Sequence, residues 1–200
     1  NVAWEDNMPT HLLCADPIYL RFQQERVIVG GADTFALTAE ESQALLARLN
    51  SEFADIGTFY APHPHRWYLA LHQAKPLHTP PLSEIIGRQL APELTAGTDH
   101  VWLRRLQNEV QMVLHSHTVN QIRAERGEAT LNGIWLWGAG AAPNFGLQAH
   151  PEFTDVWSND PLAIGRAKQQ HGRVYARAVS LSEVLASKPA RGLVVLDQLQ

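Results

Sequence analysis

A single cysteine, Cys14, stands in a chain of 200 residues, so no internal disulfide can form and packing alone must hold the fold. A reducing compartment is expected, by default the cytoplasm. There is no basic surplus either. Lys plus Arg number 16 against 20 Asp plus Glu, a net charge of −4, which leaves no positive field to grip a polyanion. Nucleic acid is therefore not an expected partner. The apolar runs 134–137 and 193–196 fall far short of the roughly 20 residues that span a bilayer, so no membrane association is expected. The chain opens on Asn1 without a Met or a basic-then-apolar leader, the pattern of a fragment, a processed product or a trimmed chain.

Several catalytic signatures are also missing. There is no Gly-x-Ser-x-Gly elbow, no Walker loop and no Gly-x-Gly-x-x-Gly fingerprint, because Gly138-Ala-Gly140 runs on into Ala-Ala-Pro143. Cys14 lies in an expected strand beside Ala15 and reads as a small buried hydrophobe. His63 and His65 could face one ion from a strand, whereas His115 and His117, about 200° apart on a helix, could not. No third ligand stands nearby for either pair. We expect histidines that cap and bond backbone, and neither a metal nor another cofactor.

What the sequence does contain is an ordinary globular composition, 45% hydrophobic and 18% charged, with six Trp and ten His. The β-rich runs 12–21 and 26–29 read as a hairpin. Thr38-Ala-Glu-Glu41 is a capping box that opens a helix over 39–54, with Leu45, Leu46, Leu49 and Phe53 on one face. Strands are expected at 58–61 and 66–71 around Pro62-His63-Pro64-His65. Prolines and glycines punctuate 73–98, read as surface crossing with a short helix after Ser83 and as the candidate sub-boundary of one domain spanning 1–200. Asp99 caps a helix over 99–117 whose face carries Trp102, Leu106, Val110, Val113 and His117. Residues 118–125 continue that helix or form a second one that stops at Gly127. After residue 130 the pattern alternates. Strands are expected at 134–137, 153–157 and 193–196, with a helix over 161–170 capped by Asp160 and another over 183–187 capped by Ser180 or Ser182. The fold class that follows is α/β, a mixed sheet flanked by helices with some parallel pairing.

The densest polar stretch runs from Asn108 to Gly140. His117, Asn120 and Arg123 share a helical face, and Arg126 and Asn132 follow. The Gly138/Gly140 pair after an apolar strand lets backbone N–H groups approach a ligand. Arg66, in the His-Pro-His-Arg loop, is a candidate closing charge. These residues and Asn108 form a candidate pocket for a small phosphorylated or carboxylated metabolite. The alternative keeps Asn120 and Asn132 as staples and leaves the arginines as helix charges countered by Glu109, Glu125 or Glu128.

His117-Thr-Val-Asn120-Gln-Ile-Arg123-Ala-Glu-Arg126-Gly127, followed by Leu131-Asn132-Gly-Ile-Trp135-Leu-Trp137-Gly138-Ala-Gly140, resembles a signature of archaeal-type cofactor-independent phosphoglycerate mutases, members of the alkaline phosphatase superfamily. With Ala15-Asp16-Pro17, Pro62-His-Pro-His-Arg66-Trp67-Tyr68-Leu69, Thr79 to Gly87 and Gln107 to His115, the chain is also similar to bacterial regulatory proteins of the RpfE type. The mutase resemblance implies a Ser or Thr nucleophile beside two metal ions held by Asp and His. No Asp-Gly-x-x-Asp or Asp/His cluster of that kind occurs here, and Thr118 and Leu131 replace the family's Pro and Ala. The expectation is a mutase-related protein without the metal phosphotransfer core, acting as a metabolite sensor or regulator. A working mutase with metal ligands outside this segment and a protein-interaction domain are the competing expectations.

Overall fold

The computed structural model describes residues 11–23, 26–32, 34–90, 100–141, 153–158, 161–169, 171–175 and 181–195. It is a mixed α/β structure whose contacts divide it into two compact units, Asn1–Pro143 and Asn144–Gln200. The division falls after Pro143, and not within 73–98.

The first unit is organised by β1 (His11–Gln23), a strand long enough to pair with three others. It pairs antiparallel with β2 (Arg26–Gly30), with β4 (Arg66–Leu71) and with β5 (Gly133–Ala141), and β3 (Gly57–His63) closes the far edge against β4. The hairpin and both central strands thus stand where the period-2 pattern puts them. One face of β1 turns Leu13 and Ala15 into the main core, and the other turns Cys14, Asp16 and Ile18 away from it.

Helix α1 (Ala39–Glu52) begins with both halves of its capping box in place: the Thr38 hydroxyl accepts from the Glu41 amide, and the Glu41 carboxylate accepts from the Thr38 amide. Its Leu45, Leu46 and Leu49 enter the core with Phe53. Helix α2 (Leu82–Ile85) is the short helix expected after Ser83, and it starts one residue before that serine. The segment around it is less of a surface crossing than its prolines suggest, because Leu77, Leu82 and Ile85 are buried. Proline forbids helix and ladder there without forbidding burial.

Helix α3 (His100–His115) is shorter than the expected 99–117, and Asp99 lies outside the described residues. Its inward face is Leu103, Leu106, Val110 and Leu114, with Trp102 and Val113 only partly buried beside it. The expected face is therefore turned by a fraction of a helical turn, since the two large flanking side chains mimic the spacing of the true stripe. Residue 117 leaves that face altogether, because a new helix, α4 (Thr118–Glu125), starts after it.

The second unit is a parallel three-stranded sheet in the order β7 (Arg173–Tyr175), β6 (Asp155–Trp157), β8 (Gly192–Val194). Helix α5 (Pro161–Gln169) connects β6 to β7, and α6 (Leu181–Ala186) precedes β8. Strand β7 had no sequence signal, and the expected strand at 193–196 starts one residue earlier. The proposed caps Asp160 and Ser180 lie outside the described residues, and Ser182, the alternative cap, lies within α6, which starts two residues before the expected 183. Buried Asp155 accepts from Thr154 and Tyr175 and pairs with Arg173 at 2.8 Å, and these bonds, that from Thr154 foremost, hold its carboxyl below the usual range. Trp157 and Tyr175 stack at 4.9 Å across adjacent strands.

Candidate functional site

In the β1–β4 ladder Leu12 faces Ala70, Leu13 faces Leu69 and Cys14 faces Tyr68. The same register carried two residues further sets Asp16 opposite Arg66, and the pleat sends both side chains to the face away from the main core. Arg66 Nη1 donates to Asp16 Oδ2 at 2.6 Å. Strand β5 completes the group from the other side of β1. Its pairing slips between Leu12 and Cys14, where Gly138 adopts a φ of 66° that an L side chain rarely tolerates. Trp137, the residue before that bulge, turns its indole N–H onto the same Asp16 Oδ2 at 2.8 Å, and the Arg66 guanidinium lies 5.6 Å from the ring centroid.

Electrostatically the site is unequal. The Asp16 side chain is fully buried, and its Oδ1 has no hydrogen-bond partner among the described residues, whereas Arg66 keeps 38% of its side chain in solvent. Burial raises the Asp16 carboxyl above the usual carboxylate range in spite of the Trp137 indole, the Arg66 charge and the Trp67 backbone amide, which pull it down. Burial likewise pushes the neighbouring Cys14 thiol up to about 11, with Asp16 adding to the rise, and lifts the Tyr68 phenol. Cys14 is accordingly no nucleophile at neutral pH. What remains available is one guanidinium, clamped on one edge, partly open on the rest and flanked by an aromatic face. Such a group recognises carboxylate or phosphate.

Of the residues singled out in the sequence, the structure brings Arg66 and Gly138 into this group. It uses others as joints between elements. The Asn120 amide, buried on α4, donates to the carbonyls of Leu114 and Leu131 at 2.7 and 2.5 Å, and its oxygen accepts from the Leu131 amide at 2.9 Å. Asn132 exchanges two bonds with the Leu20 backbone, tying the start of β5 to β1. Arg123, only 2% exposed, donates to the carbonyls of Ala129 and Ala36 and pairs with Glu41 at 2.9 Å, with Glu128 at 3.6 Å. Glu41 thus both caps α1 and is the nearer counter-charge of Arg123, while Glu128, one of the three the sequence offered with Glu109 and Glu125, takes part at 3.6 Å. His117 is the N-cap of α4: its Nδ1 accepts from the Val119 amide, and burial lowers its pKa. Arg126 ends that helix exposed, Asn108 is exposed on α3, and Gly140 borders a separate 290 Å³ hollow with Leu12, Leu71, Lys75 and Pro76.

Asp16 and Trp137 entered the sequence reading only through motifs, with no site role assigned. The signal for them was a carboxylate in an apolar strand, which a folded chain must pair. His65 bonds the Leu37 amide through Nε2, and the His63 ring accepts from the His65 amide. Among the described residues no three His, Cys, Asp or Glu side chains stand close enough to hold a metal ion, so these residues do not fit a two-metal centre. Among the same residues no helix is long and apolar enough to cross a membrane.

No family model matches the sequence. The 2,3-bisphosphoglycerate-independent phosphoglycerate mutase of Methanosarcina barkeri is 31% identical over 113 residues, which cover 54% of this chain and 28% of that protein. Its counterpart from Methanosarcina mazei is 39% identical over 67 residues, 34% of this chain and 17% of the relative. The solved cofactor-independent phosphoglycerate mutase of Thermoplasma acidophilum aligns at a TM-score of 0.49 and 16% identity, over 94% of this chain and 56% of its own. Over about half its length the chain is thus related to cofactor-independent phosphoglycerate mutases, and it matches under a third of the length of these two Methanosarcina relatives.

Proposed function

We propose that this chain is a mutase-related module of regulatory or sensing type, close to the RpfE-type proteins and cytoplasmic, which binds a small phosphorylated or carboxylated metabolite at Arg66. The observation that carries the reading is the half-open guanidinium held between Asp16 and Trp137. A guanidinium keeps its charge at every physiological pH and presents its donors in a planar fork matched to carboxylate and phosphate oxygens. Asn120, Arg123 and Asn132 contribute by fixing the helix and strand ends of the first unit. A phosphoglycerate is the first candidate, since it offers both anionic groups and is the compound in the names of the relatives.

A thermal-shift and calorimetric screen tests this, using 3-phosphoglycerate, inorganic phosphate and sulfate on the wild type and on Arg66→Gln. A ligand that binds only the folded state raises its stability by RT ln(1 + [L]/Kd). The expected result is a shift in the wild type that Arg66→Gln loses. An identical response in both proteins, or none in the wild type, overturns the assignment. The second reading, a working mutase, draws on the relatives. It requires conversion of 3- to 2-phosphoglycerate in the presence of manganese or zinc, and we expect none from this chain.

A further inference from the structure

We propose that Asp16 is a proton-operated gate on the Arg66 site: as a carboxylate it occupies the guanidinium, and as a neutral carboxyl it yields the guanidinium to an external anion. The inference rests on the anion-binding reading above and adds a control to it.

The geometry supplies both positions of the gate. Oδ2 accepts from Arg66 at 2.6 Å and from Trp137 at 2.8 Å, so the carboxylate is already an anion docked on the guanidinium. Its other oxygen is buried without a hydrogen-bond partner. An ionised oxygen left unpaired in a dry site costs more than a neutral one, so the resting pair is held in balance and not locked. An arriving anion would share the guanidinium with the carboxylate. Like charges at one site push one of the groups to take up a proton. Oδ1 is the free position for that proton, and Oδ2 can still accept from Trp137 when Oδ1 is protonated.

The groups that share this face with Asp16 are held neutral or carry a fixed charge. On β1 the neighbouring titratable group is Cys14, whose thiol burial has pushed up to about 11. On β4 they are Arg66 itself and Tyr68, whose phenol is also raised. On β5 the residues turned to this face are Trp135 and Trp137, which carry no charge. Burial thus keeps Cys14 and Tyr68 neutral, and Asp16 is the acid on this face whose raised carboxyl can take up a proton as pH falls. The direction follows: the site closes to anions as pH rises and opens as pH falls.

Sulfate serves as the probe, because its own charge is constant between pH 4 and 8. Calorimetric titration of the wild-type chain from pH 4 to 8 is expected to show affinity rising as pH falls, with net proton uptake in buffers of different ionisation enthalpy. Asp16→Asn keeps an oxygen for Trp137 but removes the competing charge. It is expected to bind sulfate about tenfold more tightly than the wild type at pH 7, the reciprocal of what an adjacent guanidinium does to a carboxylate, and without pH dependence. His63, paired with Arg66 across the strand, and His65 beside it are retained in Asp16→Asn, so a pH dependence surviving in the variant would overturn the gate. Should the variant not fold, carbon-13 NMR of the wild-type Asp16 carboxyl decides. Saturating sulfate must move its titration midpoint upward, and an unmoved midpoint refutes the proposal. Sulfate binding that is flat with pH and releases or takes up no protons defeats the gate while leaving the anion site standing. Failure of sulfate, phosphate and 3-phosphoglycerate to bind at any pH defeats both.

Discussion

Replacing Asn120 by Ala removes three hydrogen bonds at once and leaves two buried backbone groups without partners, the carbonyl and the amide of Leu131, while the Leu114 carbonyl keeps the His117 amide as its donor. Each orphaned buried group costs about 1–3 kcal/mol. Some of that is relieved where water follows the truncated side chain, so the expected loss is about 2–4 kcal/mol, a large fraction of the roughly 5–15 kcal/mol that stabilises a typical domain. Urea unfolding followed by tryptophan fluorescence measures it, in a Trp157→Phe background so that the emission reports the first unit. The midpoint should fall with little change in slope, since the surface exposed on unfolding is unchanged. Sulfate affinity of the folded variant at low temperature should match that of the parent. A loss below about 1 kcal/mol, less than one unsatisfied group costs, or intact stability with lost anion binding, would show that Asn120 serves a ligand and not the frame.

Leu106→Ala should cost about 2–5 kcal/mol, because Leu106 is buried in the middle of the inward stripe of α3; the same urea assay reads it, and no measurable change would misplace that stripe. Arg123→Met should lose about 3–5 kcal/mol by leaving Glu41 half-buried and uncompensated, and adding Glu41→Gln should recover part of it, so two strictly additive losses would argue against the pair. His117 supplies a pH test. Its pKa is lowered by burial, so its contribution is complete above the ordinary value of about 6.5 and is lost as pH falls below that through the folded-state pKa. The urea midpoint should accordingly drop between pH 7.5 and 5, and His117→Ser, which caps with a hydroxyl at any pH, should flatten that drop.

What the sequence makes legible here is local. The capping box of α1 lies within four residues and needs nothing from the rest of the chain, and the hairpin of β1 and β2 announces itself by alternation and a short polar turn. The α3 stripe was half legible: Leu106 and Val110 are right, but periodicity alone could not decide whether Trp102 or Leu103 marks its centre. The candidate site is the opposite case. Asp16, Arg66 and Trp137 are separated by 50 and 121 positions, and only the registers of β4 and β5 on β1 bring them together. The polar residues that did stand out on α4 did so for a related reason. Asn120 and Arg123 are conspicuous in an amphipathic pattern, yet the partners that absorb them include Leu131, Ala36 and Glu41, which no helical spacing reveals.

Because β1 is among the first strands made and β5 the last of the first unit, the order of synthesis becomes a constraint. The bonds between Asn132 and Leu20 join residues 112 positions apart. At about 5–20 residues per second of translation, Leu20 waits roughly 6–22 s for that partner. During this interval the edge of β1 that β5 will cover is a row of open amides and carbonyls on a nascent chain, the kind of edge that invites pairing with another chain. Pro17, with no N–H to offer, takes one donor out of that strand. Codons that slow ribosomes between residues 72 and 132 would lengthen the exposure, and a permuted gene in which β5 is translated next to β1 would nearly abolish it.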